Sequence, residues 1–543
     1  MTLGQLPVDG RKRLLVHVNR RCSLWTARLE SSIASPTILA FALIGTSLLL
    51  WGSEVFVLHL TIDEEVFADD SMWRAWVAQG RWGMALLSSL LVPRSVAPVV
   101  STALGVLGFL LGLGIFVRTL TSARVLIFVG VLFGVVSPAL PYLLTFSTIS
   151  YGAGIGAACA AFAFRNLLDG TRSGLLRATL LFTFAISIYQ PLIFTVPVMM
   201  LLYCAAHLSG GFRLYELRRT VVSVVLATPA SVLLYFFGRL LALRVTGVSS
   251  SPYVAGQIKI SGILQSPGRS LRIAAIQAGQ VFLDSPSSFQ GHAKYVGPVL
   301  AACLLAVVAA AGRASGVRGA LLTTGALGGV LTLMVIIEAL AGGRADLRTL
   351  VFLPFLFAGL TCVVGNLLAH YRWYVPYICF LLLLCAASLG LASDMNRLFM
   401  STQLVHEQDA YMALRLDEQI TQLEIAKRTT ANTLVVIGRR VARPGPLTPK
   451  ADTIGESFFG WFEGDARRTS AFIRVVTGRR LESAPDRRAA EAAMKLGPDK
   501  AVWPAPGSLT LQGDTAVLRL SEPTSEQKRL WCFAGVDEFC AGH

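Results

Sequence analysis

Charge is scarce in this chain. Only 15% of its 543 residues are Asp, Glu, Lys or Arg, against about 25% in an ordinary soluble domain. Histidine is scarcer: seven residues, scattered, with no HExxH and no paired ligand spacing that would mark a metal site. A nucleotide-binding loop is lacking too. Glycine-rich stretches at 108–114 and 152–156 lie inside apolar runs, where small residues serve helix packing. That argues against a nucleotide-sugar donor used on the cytoplasmic side. No cleavable signal peptide is expected: RKRLLVHVNRRCSLWTARLE (11–30) is basic and amphipathic, with no short apolar stretch and cleavage site before it. It reads as a cytoplasmic juxtamembrane segment lying on anionic lipid.

Apolar residues are abundant: 54% of the chain is hydrophobic, the mean hydropathy is +0.61, and long apolar runs recur to about residue 393. The class is integral membrane. The formal charge of +16 would suggest nucleic acid, but its location says otherwise. Residues 394–543 hold 20 basic and 19 acidic residues, while the first 393 hold 28 and 13. The excess therefore sits in the membrane part, where Arg-rich loops belong on the cytoplasmic side. Nucleic acid is not an expected partner.

About eleven spans are read: 36–58, 96–117, 125–143, 149–164, 178–190, 192–206, 221–243, 295–312, 319–341, 349–369 and 374–393. With the N-terminus inside, the connections RTLTSAR (118–124), RNLLDGTRSGLLR (165–177), HLSGGFRLYELRRT (207–220), GRASGVRG (312–319) and HYRW (370–373) become cytoplasmic. All are short and basic, as the positive-inside rule requires. One short loop breaks the rule: 342–348, with Arg344 and Arg348 on the outer side. An odd number of spans puts residues 394–543 outside. The expected fold is all-α and polytopic, with a basic segment 1–35, a membrane domain 36–393 carrying an outer loop at 59–95, and a small extracytoplasmic α/β domain at 394–543. In that last domain, 393–424 has helical spacing, TLVVIGRR (433–440) reads as a buried strand, and SFFGWFEGDARRTSAFIRVVTG (457–478) as an aromatic turn followed by a helix. Seven of the nine cysteines lie in the N-terminal segment or in spans. The other two, Cys532 and Cys540, are either a disulfide formed in an oxidising periplasm or two unpaired thiols.

The outer loop HLTIDEEVFADDSMWRAWVAQGRWGMALLSSLLVP (59–93) is the richest in chemistry. Asp63, Glu64, Glu65, Asp69 and Asp70 fall within eight residues, directly after a span. Trp73, Trp76 and Trp82 follow in a pattern suited to an interfacial helix. Such a cluster often does no more than keep a loop solvated. Three features point further. Arg81 ends the interfacial stretch and can grip a lipid phosphate bidentately. Arg344 and Arg348 stand outside against the charge rule, as anion-binding groups would. Glu338 lies inside a span about one turn before them, and an intramembrane carboxylate is a functional group by default. Carboxylates and arginines at one lipid boundary suit group transfer from a lipid phosphate: a carboxylate deprotonates the acceptor and cations stabilise the departing phosphate. A transporter using the same groups for proton coupling is the competing reading, but it predicts carboxylates deep in mid-membrane spans, and apart from Glu54 and Glu338, both near outer ends, the spans have none. A flippase of lipid-linked oligosaccharide would need a polar cavity, of which the apolar spans give little sign. A non-catalytic scaffold would not need the acid–arginine constellation.

TIDEE (61–65), WxxxGRWG (76–83), ISIYQP (186–191), the R-x-x-x-R loop (344–348) and IGESFFGWFEGDARR (454–468), in this order, resemble the type II O-antigen glucosyltransferases of serotype conversion, within the GT-C class of polytopic glycosyltransferases. The resemblance implies a polyprenyl-phosphate-linked sugar donor, usually glucose. The sugar would go to a lipid-linked or surface polysaccharide on the periplasmic face of the bacterial inner membrane. It makes Asp63 the general base and Glu64 the next candidate, with Asp69 and Asp70 positioning groups or metal ligands and Glu65 and Asp346 in support. Tyr189 and Gln190 either hydrogen-bond the sugar or cap a span end. No cofactor is required, because the activated bond is already in the donor; the acids could hold Mg²⁺ or Mn²⁺ through oxygen ligands.

Overall fold

The computed structural model describes residues 21–28, 30–31, 35–57, 60–61, 63–68, 72–91, 97–209, 214–251, 265–269, 272–273, 275–276, 293–340, 346–442, 453–497 and 500–540. Its longer helices, in chain order, are α1 (Pro36–Phe56), the one-turn α2 (Glu64–Phe67), α3 (Trp73–Ala78), α4 (Trp82–Leu91), α5 (Pro98–Leu120), α6 (Arg124–Val135), α7 (Ala139–Leu144), α8 (Ser150–Leu168), α9 (Arg172–Ile188), α10 (Thr195–Ser209), α11 (Leu214–Thr246), α12 (Ala293–Leu340), α13 (Leu353–His370), α14 (Tyr374–Lys427), α15 (Ala466–Thr477), α16 (Asp486–Leu496) and α17 (Ser525–Phe533). They fall into two compact units. One holds residues 1–57, 72–93 and 99–396; the other gathers 58–71 and 94–98 with 397–543.

The first unit is a bundle of apolar helices. Seven described helices of the chain are long and apolar enough to cross a membrane, and three shorter apolar ones accompany them, Trp82–Leu91, Arg124–Val135 and Ala301–Arg313. The eleven expected spans all fall on helices, but not as eleven bilayer-length rods. The expected span 125–143 is cut. Pro138 lacks an N–H and its ring blocks continuation of the preceding turn, so α6 stops at Val135 and the short α7 follows. Around Pro191 the chain instead turns through a 3-10 segment, Gln190–Phe194, directly into α10. The two spans expected at 295–312 and 319–341 meet at Gly316, whose left-handed backbone (φ 68°) breaks α12 into two helices.

Local chemistry sets the helix starts. Ser35 accepts from the Ile38 N–H with Pro36 at the first helical position, and Thr171 accepts from Gly174 N–H to open α9; a cap of this kind contributes about 1 kcal/mol. The apolar glycines serve close packing. A Cβ on Gly108 would fall inside the Gly154 backbone, and one on Gly154 inside that of Gly105, so α5 and α8 cross backbone to backbone.

The second unit contains a four-stranded sheet, ordered β2 (Glu482–Ser483), β1 (Thr433–Ile437), β4 (Thr515–Arg519), β3 (Leu509–Gln512). β1 runs parallel to β2 and β4, while β3 and β4 are antiparallel. Every residue of β1 is buried, as the apolar run predicts. Successive side chains of a strand point to opposite faces, and each face has its own core. Leu434 and Val436 pack with Met412, Leu416 and Ile420 of α14 and with Phe458, Phe459 and Phe472. Val435 and Ile437 pack with Ala490, Leu496 and Trp531. The unit is thus a helix–sheet–helix sandwich, the expected α/β domain. α14 was expected as a span ending at 393 and a separate helix from 393; the two are one helix of 54 residues. Cys532 and Cys540 are disulfide-bonded, with Cα atoms 5.0 Å apart.

Candidate active site

The segment after α1 packs with the carboxy-terminal sandwich, and its acids take very different places. Asp63 precedes α2 with its backbone left-handed (φ 85°, ψ −25°) and makes no side-chain cap. A non-glycine residue held there costs about 1–3 kcal/mol and persists only when its surroundings impose it. Its side chain is 43% exposed. Glu64 is 1% exposed, and its Oε2 accepts from the Thr61 N–H at 2.9 Å, closing the turn into α2. Glu65 is fully buried.

One cation meets two of these acids. Arg468 on α15 donates from Nη2 to Asp63 Oδ1 at 2.5 Å and from Nη1 to Glu65 Oε1 at 2.8 Å. The other Glu65 oxygen, Oε2, is buried without a hydrogen-bond partner. Burial pushes the Glu65 carboxyl up to about 7, against the opposing pull of Arg468.

The motif 454–468 builds the platform for this arginine. Asp409 of α14 accepts from Ser457 Oγ, the Phe458 N–H and Arg440 Nη1, fixing the start of the aromatic turn. The turn Trp461–Glu463 has left-handed backbone at Phe462 and Glu463. Asp465 then caps α15 by accepting from the Arg467 N–H. The Arg468 guanidinium lies 5.1 Å from the Phe462 ring centroid.

Within the first unit a second group forms. Gly80 ends α3 in the left-handed region (φ 78°), and the Arg81 N–H returns to the Trp76 carbonyl, a C-terminal turn that favours glycine. The Arg81 guanidinium sits 5.2 Å from both the Trp76 and Tyr189 ring centroids, and its Nε donates to Gln190 Oε1 at 3.1 Å. Gln190 Nε2 donates to the Gln79 carbonyl at 2.9 Å. Tyr189 Oη donates to the Arg348 carbonyl at 3.0 Å. Arg348 lies 5.2 Å from the Phe146 ring centroid and pairs with Asp346 at 2.5 Å. The structure thus brings Arg81, Tyr189, Gln190 and Arg348 together, though they are spread over more than 260 positions of sequence.

Asp69, Asp70 and Arg344 lie outside the described residues, and Glu338 falls on α12 with its side chain outside the description. Among the described residues no three His, Cys, Asp or Glu side chains converge as metal ligands. Sequence reasoning quoted the 454–468 motif without giving Arg468 a role. A signal was there: Arg468 precedes Phe472 by four, which places it on the apolar face of an amphipathic helix, whereas Arg467 does not share that spacing.

The chain thus combines apolar helices of membrane-crossing length with an acidic segment after the first and arginines gathered with Tyr and Gln in the bundle. The chain matches the family model described as glucosyl transferase GtrII over residues 52–392, more than half its length, and belongs to that family. No curated protein and no solved structure matches it.

Proposed function

We propose that this glycosyltransferase moves glucose from a polyprenyl-phosphate carrier onto a lipid-linked or surface polysaccharide, the O-antigen, at the periplasmic face of the bacterial inner membrane. The reading is carried by Asp63: an accessible carboxylate on a backbone conformation that costs free energy, in the connection directly after a span. Strain of this kind gathers at functional sites. Asp63 takes the proton of the acceptor hydroxyl. The acceptor oxygen forms a bond to the anomeric carbon as the bond from that carbon to the phosphate oxygen breaks. The electron pair leaves on polyprenyl phosphate, whose charge is met by arginines of the outer connections, Arg81, Arg344 and Arg348. Glu64, tied to the Thr61 N–H, holds the turn that carries Asp63, and Tyr189 and Gln190 contact sugar hydroxyls. Glu338, Asp69 and Asp70 keep supporting roles. The donor bond supplies the driving force, so the scheme requires neither nucleotide nor metal; Mg²⁺ or Mn²⁺ would bind at the acids if at all.

The test is Asp63→Asn in the full chain, with polyprenyl-phosphate glucose and O-antigen acceptor. Loss of a positioned base lowers the rate by about 10²–10⁴-fold, so transfer should fall in that range with membrane insertion unchanged. Wild-type transfer by a well-inserted Asp63→Asn protein removes Asp63 from the role. Efficient transfer from a nucleotide sugar in membranes stripped of the carrier would overturn the donor class.

A further inference from the structure

We infer that Arg468, in the domain beyond the family match, is the positioning residue for Asp63, so that the carboxy-terminal domain is part of the catalytic apparatus. The inference rests on the reading of Asp63 as the base.

The geometry makes the case. Asp63 sits in a left-handed backbone conformation with no cap of its own, and the Arg468 guanidinium fixes its side chain. One fork nitrogen holds Asp63 while the other holds Glu65, which is wholly buried. Glu65 is therefore the fixed point, Arg468 the rigid link, and Asp63 the group aimed. A planar fork can set two carboxylates at a defined angle; a lysine ammonium cannot. The single positive charge also offsets the repulsion between two neighbouring carboxylates. Asp63 Oδ1 is engaged, and the partly exposed side chain leaves Oδ2 for the acceptor hydroxyl.

The surroundings are built for this task. Arg468 is only 14% exposed, lies over the Phe462 ring, and follows a turn in which Phe462, Glu463 and Gly464 all have left-handed backbone. Phe462 remains 64% exposed, so this strained turn does not serve to bury its aromatic ring. What the turn does is start α15 two residues after Gly464, with Asp465 as cap, and bring Arg468 to the acids. The family match ends at residue 392, so nothing in it assigns this residue.

The experiment compares kcat and the donor KM of full-length Arg468→Gln, Arg468→Ala, Arg468→Lys, Glu65→Gln and Asp63→Asn. A misplacement of about 1 Å can cost on the order of 100-fold in rate. The inference expects that scale of loss in kcat for Arg468→Gln, with the donor KM changed less than about twofold. Arg468→Lys, keeping charge without the fork, should recover only part of the rate. Added guanidinium ion should raise the rate of Arg468→Ala and leave Asp63→Asn inactive. A structural clamp alone would lower the amount of folded protein while leaving kcat per folded molecule intact, and that result overturns the inference. Should the Gln and Ala variants fail to accumulate, Arg468→Lys decides: wild-type kcat overturns, a loss of about tenfold or more supports. Full activity in Arg468→Gln with an inactive Asp63→Asn removes Arg468 and leaves the base in place. An active Asp63→Asn removes the base itself.

Discussion

Glu65 shows how one residue can be costly and still be retained. A buried carboxyl prefers its neutral form; desolvation outweighs the pull of the guanidinium beside it, and the charge of Asp63 adds to the rise. The raised folded value has a definite consequence for stability. Between pH 4.5, where the unfolded carboxyl ionises, and about 7, the folded protein binds the extra proton. Stability therefore falls as pH rises through that window and levels off above it. Glu65→Gln carries no such proton and should flatten the fall, which a melting-temperature series from pH 4 to 8 in detergent would read. An identical pH dependence in both proteins would place the titration elsewhere. Part of this residue chemistry was legible beforehand: five acids directly after an apolar run stand out in so sparsely charged a chain. Their division of labour was not, because burial of Glu65 and exposure of Asp63 depend on side chains some 400 positions away.

At the scale of elements, the regular parts read well from pattern alone. β1 is apolar without alternation and proves buried on both faces, and the helix after the aromatic turn begins at its Asp cap. The failures have local causes. Pro138 divides a span whose hydropathy is continuous, and hydropathy carries no signal where one helix runs on from an apolar into a charged segment, as α14 does. The α3–α4 turn offers a test at this scale. Gly80 adopts φ 78°, and an added Cβ would meet Tyr235 Oη at 2.8 Å. Gly80→Ala should cost about 1 kcal/mol or more and shift the peptide that leads into Arg81. If Arg81 binds the donor phosphate, the donor KM should rise several-fold with kcat little changed. An unaltered KM would detach Arg81 from donor binding.

At the scale of the whole molecule, loop charge and span parity set the expected orientation, with residues 1–35 cytoplasmic and 394–543 periplasmic. Fusions at about residue 395 decide it: a periplasm-dependent reporter should be active there, and activity of a cytoplasm-dependent one would invert the scheme. The division of the chain was only half visible in the sequence. The change from apolar to charged composition near residue 393 marks one limit, and the structure divides just after Asn396. That residues 58–71 belong with the last domain could not be read from composition, since the grouping is made by contacts distant in sequence.

The pairing of Asp63 with Arg468 also sets a timetable. The two residues are separated by 405 positions, and a ribosome adds roughly 5–20 residues per second. About 20–80 s therefore pass between synthesis of the acid and synthesis of its arginine, while the helices between them are being inserted. During that interval the nascent enzyme holds its acidic loop without the group that orders it. If Arg468 aims Asp63, competence arrives only with the final domain, and a chain cut before residue 468 should insert yet show no transfer.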